Sequence, residues 1–177
     1  LGGITNPIDP VKYGFINAFC TPCDEKTLVG RPLTSDFGPE NVLLDDNQLY
    51  FMAQKVGDVY PGVGIDLGDL ARFKPYSIML NTRVEPRPYT STRPSNPKPY
   101  AKNFTFKLGQ TKEECIKSTS AYNYEIPKEM QGKFQNQSMT VNNSCNAMMF
   151  QITGPQTNGG YMMRVVSLEV NGSFGCK

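Results

Sequence analysis

Histidine and tryptophan are both absent from the 177 residues. Without histidine there is no Ser-His-Asp triad and no Cys-His nucleophile pair. Histidine-ligated zinc, copper and non-haem iron are excluded with them. A hydrolase built from this chain would have to use paired carboxylates, a Ser-Lys pair or a hard, oxygen-bound metal. The missing tryptophan removes indole platforms for sugar stacking, although nine tyrosines remain. Charge is also sparse, at 19% of residues with a net of +2. A protein that grips phosphate backbones is normally more basic, so nucleic acid is not an expected partner. No apolar run approaches the roughly 18 residues that a membrane-spanning helix needs.

What is present is enough for a core. Hydrophobic residues make up 38% of the chain, and 16 glycines lie outside that count. The length is that of one domain. With 14 prolines there is little uninterrupted room for helix. The periodicity is that of strands. Phe104 to Leu108 and Val166 to Val170 alternate apolar and polar residues, as half-buried strands do. Asn171-Gly172 after the second reads as a turn. Ala147 to Ile152 and Tyr161 to Val166 read as a hairpin around Asn158-Gly159-Gly160. Tyr13 to Phe19, Leu49 to Ala53 and Ser77 to Leu80 are shorter strand-like runs, punctuated by Asp36 to Pro39 and Pro61 to Gly64. Short helices are expected at Lys112 to Ser118, at Pro127 to Phe134 with proline near the first turn, and at Asp66 to Phe73. The fold class is all-β: an antiparallel β-sandwich or flattened barrel with one to three short helices. The eight methionines, including Met148-Met149 and Met162-Met163, read as gap-fillers in a core without tryptophan.

Five cysteines stand at Cys20, Cys23, Cys115, Cys145 and Cys176. Cys20-Thr21-Pro22-Cys23 has the spacing of a redox dithiol or half a zinc knuckle. The residues after it do not read as the helix a redox site needs. The other three cysteines are about 30 residues apart, so no second close pair completes a zinc site. Structural disulfides of a secreted domain are the expectation, with all five as candidates and one left unpaired or joined to another chain. Cys176 is placed to staple the C-terminus. Sequons at Asn103, Asn136, Asn142 and Asn171 agree with a secretory route. The start at Leu1, without methionine or an apolar leader, is what a removed signal peptide leaves.

Residues 85–100 form the most biased segment, with five prolines and no aliphatic side chain. Proline cannot donate to a ladder, so this is an extended surface loop. A basic-Pro-Tyr triplet recurs at Lys74-Pro75-Tyr76, Arg87-Pro88-Tyr89 and Lys98-Pro99-Tyr100. Tyr76, Tyr89 and Tyr100 are candidate stacking platforms, and Lys74, Arg87 and Lys98 are candidate partners for acidic groups. Asp45-Asp46 and Glu113-Glu114 are the carboxylate pairs a glycosidase would use. Asp66 and Asp69 are the oxygens a calcium site would use. Neither set carries a specific signature, so no metal, cofactor or catalytic residue is expected.

The domain reading is an extended N-terminal arm over 1–19 and one disulfide-linked sandwich over 20–177. The arm either lies along its own domain as an edge strand or adds to the sheet of a neighbouring copy. The function expected first is therefore non-enzymatic: a secreted glycoprotein that assembles with copies of itself into a coat, wall or filament. The alternative is a carbohydrate-binding or adhesion module that holds polysaccharide through the Tyr and Lys/Arg set. A secreted effector or a carboxylate glycosidase comes after these.

Overall fold

The computed structural model describes residues 17–23, 38–44, 50–68, 71–81, 102–119, 122–127, 134–138, 144–156 and 160–176. They form an antiparallel β-sandwich. A five-stranded sheet runs β1 (Asn17–Thr21), β3 (Gly62–Asp66), β8 (Ala147–Ile152), β5 (Asn103–Gly109), β6 (Tyr122–Glu125). A three-stranded sheet runs β10 (Ser167–Cys176), β4 (Ala71–Asn81), β7 (Phe134–Ser138). β2 (Phe51–Gln54) and β9 (Met162–Val165) make a separate two-stranded ribbon. One short helix, α1 (Lys112–Lys117), and a 3-10 turn (Pro39–Leu43) complete the described elements.

The core lies between the layers. Val63, Phe104, Phe106, Phe150 and Ile152 from the larger sheet meet Phe73, Ile78 and Leu168 from the smaller one. Phe51, Ala53, Met163 and Val165 of the ribbon join the same cluster. The Phe104 and Phe150 rings sit 4.1 Å apart at 56°, a tilted pair of the kind aromatic quadrupoles favour.

The larger sheet is covered on its second face too. Phe19, Cys115, Ala147 and Met149 form a separate buried cluster with Ile116 beside it. This explains the run Ala147-Met148-Met149-Phe150, buried throughout. Alternate side chains face alternate layers, and here both layers are apolar. The buried methionines fill core volume, as the missing tryptophan implies.

Helix α1 owes its start to its sequence. Thr111 Oγ1 accepts from Glu114 N at 3.1 Å, and Glu114 Oε2 accepts from Gln110 N at 3.0 Å, close to a capping box. At the other end Lys107 Nζ donates to Ile116 O at 2.9 Å, satisfying a carbonyl the helix leaves open.

Several sequence expectations change. The Asp66 to Phe73 stretch is not a helix. Asp66 ends β3, its Oδ1 accepts from Gly68 N at 2.8 Å, Gly68 turns at φ +64°, and Ala71–Phe73 open β4. Ala147–Ile152 and Met162–Val165 are strands but not a hairpin. β8 pairs with β3 and β5, whereas β9 pairs with β2. Gly62 and Gly64 mark a strand rather than a turn, because the Phe19 ring lies where a Gly64 side chain would stand. Asn171-Gly172 lies inside β10, at an irregularity rather than a turn. There Asn171 opposes Ser77 and Gly172 opposes Pro75, which leaves Tyr76 unpaired as the extra residue of a bulge. The bulge accommodates a proline in the middle strand of its sheet. Pro127 lies just beyond β6, residues 128–133 fall outside the described set, and Phe134 opens β7. Residues 1–16 of the arm and the Pro-rich 85–100 also lie outside it, while Asn17–Phe19 pair with β3 of their own sheet.

Cys20 and Cys23 are joined in a disulfide with their Cα atoms 5.4 Å apart. Cys115 and Cys145 are buried free thiols. Their Sγ atoms donate to Lys107 O and Phe73 O, each at 3.4 Å. Cys176 stands opposite Ala71 in the β10–β4 ladder.

Burial pushes both thiols up, from the ordinary 9.0 to about 12. For Cys115 the nearby Cys145 adds to this and the Lys107 ammonium opposes it. A thiol that is neutral in the fold and ionised when unfolded makes unfolding release a proton, so rising pH favours unfolding. The thiol contribution to stability is intact below pH 9.0 and is lost between there and about pH 12. The expected slope is up to about 1.4 kcal/mol per pH unit for each thiol. Urea melts across that window check it. The double variant Cys115→Ala/Cys145→Ala should show a shallower alkaline decline than the parent; an unchanged slope would refute the assignment.

Candidate functional site

Of the residues singled out in the sequence, those that are described lie on separate elements. Lys74 and Tyr76 are exposed on the outer face of β4, with Arg72 two positions before them. Tyr76 is 56% exposed, the bulge residue turned to solvent. Tyr89, Tyr100, Arg87, Lys98 and Asn142 lie outside the described residues, as do Asp45, Asp46 and Asp69. Asn103 is half-buried at the start of β5, and its Oδ1 is buried without a partner among the described residues. Asn136 stands in β7 opposite Met79. Asn171 Nδ2 donates to Ser77 Oγ at 3.3 Å. Glu113 and Glu114 are exposed on α1, and Glu114 is committed to the cap. Among the described residues no group of three Asp, Glu, Cys or His side chains could hold a metal.

A different constellation gathers at one end of the β2–β9 ribbon. β2 runs out at Gln54 and turns back through Val56-Gly57-Asp58-Val59. Val56 and Val59 exchange both backbone hydrogen bonds, at 3.1 and 3.0 Å. The reversal requires Gly57 at φ +57°, a left-handed conformation that glycine takes without penalty. Lys55 N donates to Tyr161 O at 3.1 Å, so the ladder continues one step past the named strands. Tyr60 is fixed from the neighbouring sheet. Its carbonyl accepts from Gln151 Nε2 at 2.7 Å, and Pro61 O accepts from Ile152 N at 3.1 Å.

Tyr161 is positioned by a buried glutamine. Gln156 is 3% exposed. Its Oε1 accepts from Lys102 N at 2.9 Å, its Nε2 donates to Gly154 O at 2.9 Å, and its backbone N donates to Gly160 O at 2.7 Å. A buried amide with its bonds made holds a fixed geometry. Here it ties the β8–β9 connection to the start of β5, one residue from Tyr161.

The product is an ammonium set against two rings. Lys55 Nζ lies 4.7 Å from the Tyr60 ring centroid and 5.0 Å from that of Tyr161. The rings are 5.9 Å apart and inclined at 51°. Both distances fall within cation–π range. Tyr161 is 39% exposed, and Val56 and Val59 of the turn after Lys55 are more so. Further along the ribbon the Arg164 guanidinium lies 5.9 Å from the Tyr50 ring. The Lys55–Tyr60–Tyr161 surface therefore offers apolar ring area, hydroxyl groups and a cation together. It was not readable from the chain, because Tyr60 and Tyr161 stand about 100 residues apart and meet only through β2–β9 pairing.

No protein-family model matches the chain, and no curated protein matches it in sequence. Solved structures match in fold. One is the family 32 carbohydrate-binding module of Clostridium perfringens NanJ, in complex with galactose. Its TM-score is 0.58 at 10% identity, over 89% of this chain and 94% of that one. A family 32 module from a family 31 glycoside hydrolase of the same organism gives 0.60 at 10% identity, over 90% and 92%. A fucolectin from striped bass (Morone saxatilis) serum gives 0.58 at 13% identity, over 89% of this chain and 47% of that one. At these identities the likeness is one of fold: the chain is a β-sandwich of the kind these sugar-binding proteins use.

Proposed function

We propose that this protein is a carbohydrate-binding module and that the Tyr60–Tyr161–Lys55 cluster carries the binding. The supporting observation is the exposed Tyr161 ring beside Tyr60, held at the sandwich end by Gln156 and Lys55. Sugars present one face of C–H groups, which stacks on an aromatic ring, and a rim of hydroxyls, which bonds to polar neighbours. The fold likeness to sugar-binding proteins supports this reading over an assembly subunit that works through strand exchange between copies. The reading is of binding without catalysis. It places the protein outside the cell, in keeping with the Cys20–Cys23 disulfide.

The test is a glycan microarray, followed by calorimetric titration with the glycans retained. Saturable binding of a defined glycan set is expected. Retention of none, by protein shown to be folded, would refute the proposal.

A further inference from the structure

We infer that the sugar recognised at this site is an acidic one, with Lys55 meeting its carboxylate or sulfate. The inference rests on the carbohydrate-binding reading and goes beyond it to the ligand's charge. Lys55 has three donors on its ammonium. Its contacts among the described residues are the two tyrosine rings, and no carboxylate there pairs with it. Rings attract the cation but use none of its hydrogen-bonding capacity in the way an oxygen does. Among the described residues the charge is thus held in place and left unneutralised.

Being held in place matters. A lysine free in solvent loses much rotamer entropy when it binds an anion. Here the two rings already restrict the side chain, and the backbone of Lys55 is fixed to Tyr161. Less ordering remains to be done when an oxyanion arrives. The anion also meets its donor beside partly buried rings, where a charge-assisted hydrogen bond is stronger than in open water. The one acid in the adjoining turn, Asp58, is exposed and makes no ion pair with Lys55. Its charge works against an anion at this spot, so its removal should help.

The other cation on the ribbon lies apart from this site. Arg164 Nε is buried with no partner among the described residues. Arg164 stands three positions beyond Tyr161 on β9, opposite Met52. Side chains alternate between the two faces of a strand, so this odd spacing turns Arg164 away from Tyr161 and leaves Lys55 as the cation of the site.

The experiment titrates the intact protein with matched oligosaccharides: a neutral one, its uronic-acid counterpart and its sulfated counterpart. The expected result is that at least one acidic form binds about tenfold to a hundredfold more tightly than the neutral form. The uronate and sulfate arms show which anion is meant. Lys55→Gln should abolish that preference, so that acidic and neutral forms bind alike. Lys55→Arg should keep it, and Asp58→Asn should strengthen acidic binding. Added salt should erode the preference. Equal binding of neutral and acidic forms, unaffected by Lys55→Gln, would overturn this inference and leave the carbohydrate reading standing. Binding of none of the three oligosaccharides by folded protein would overturn the inference too, with the microarray deciding the broader reading.

Discussion

Gly172→Ala is expected to destabilise the protein by about 3 kcal/mol or more, a large share of the stability of an ordinary domain. A Cβ at this position would fall on the Lys74 carbonyl oxygen and within 2.6 Å of the Phe73 ring. The first obstacle is backbone, which cannot turn aside as a side-chain tip can. The second is a core phenylalanine, 3% exposed. The clash sits at the bulge where Gly172 opposes Pro75 and Tyr76 is left over. Relief would mean shifting β10 away from β4, and these are the two longest strands of the fold. For a chain of this size the loss amounts to a fall in Tm of roughly 6–12 °C. Gly154→Ala is the control, since its nearest new contact would be Asn103 Nδ2 at an ordinary 3.8 Å. Thermal melts of the two variants decide the matter. Equal stability would mean that β10 and β4 do not pair in this register. Gly64→Ala belongs with Gly172→Ala, since its Cβ would meet the Met148 carbonyl oxygen and lie 2.6 Å from Phe19 Cζ.

These glycines also show where sequence reading stops. Local pattern carries strand β5, because Phe104, Phe106 and Leu108 alternate with Thr105 and Lys107 and join the core between the sheets. It carries α1, because Glu113 and Glu114 suit the first turn of a helix. It does not carry β3. Gly62 and Gly64 look like turn residues until Phe19, more than 40 positions earlier, is known to lie across Gly64, and Gln151, about 90 positions later, against Gly62. Gly172 looks like a hairpin turn after asparagine, yet it is glycine because Lys74 and Phe73 leave no room. Met148-Met149 and Met162-Met163 look like two arms of one hairpin because both runs are apolar. They part because β8 is needed at the centre of the large sheet and β9 beside β2. Each misreading has one cause: the deciding neighbour is distant in the chain. The candidate site shares that cause. The Lys-Pro-Tyr triplet is visible as a repeat and leads to Lys74 and Tyr76 on an open sheet face. The Lys55, Tyr60 and Tyr161 cluster repeats nothing and exists only once the strands have paired.

The same contrast separates the two tyrosine surfaces by experiment. Tyr161→Ala is expected to weaken glycan binding about tenfold or more, for neutral and acidic sugars alike, since truncating a central aromatic anchor commonly costs about 2 kcal/mol. The ring is both the stacking surface and one wall of the Lys55 bracket, so its loss removes apolar contact and frees the ammonium together. Tyr161→Phe keeps the ring and should retain most of the affinity, with any deficit measuring the hydroxyl. Tyr76→Ala should leave binding nearly unchanged, although Tyr76 is the more exposed of the two. Among the described residues no ring or cation braces Tyr76 on its bulge, whereas Tyr161 is braced by a second ring, a cation and the Gln156 bonds. Rigidity rather than exposure distinguishes a binding platform from a stray surface aromatic, because a braced ring has little left to lose on binding. Tyr161 lies at the edge of the core, so circular dichroism of Tyr161→Ala should match the parent. Should Tyr76→Ala abolish binding while Tyr161→Ala spares it, the ligand lies on the outer face of β4, with Arg72 and Lys74 as its cations.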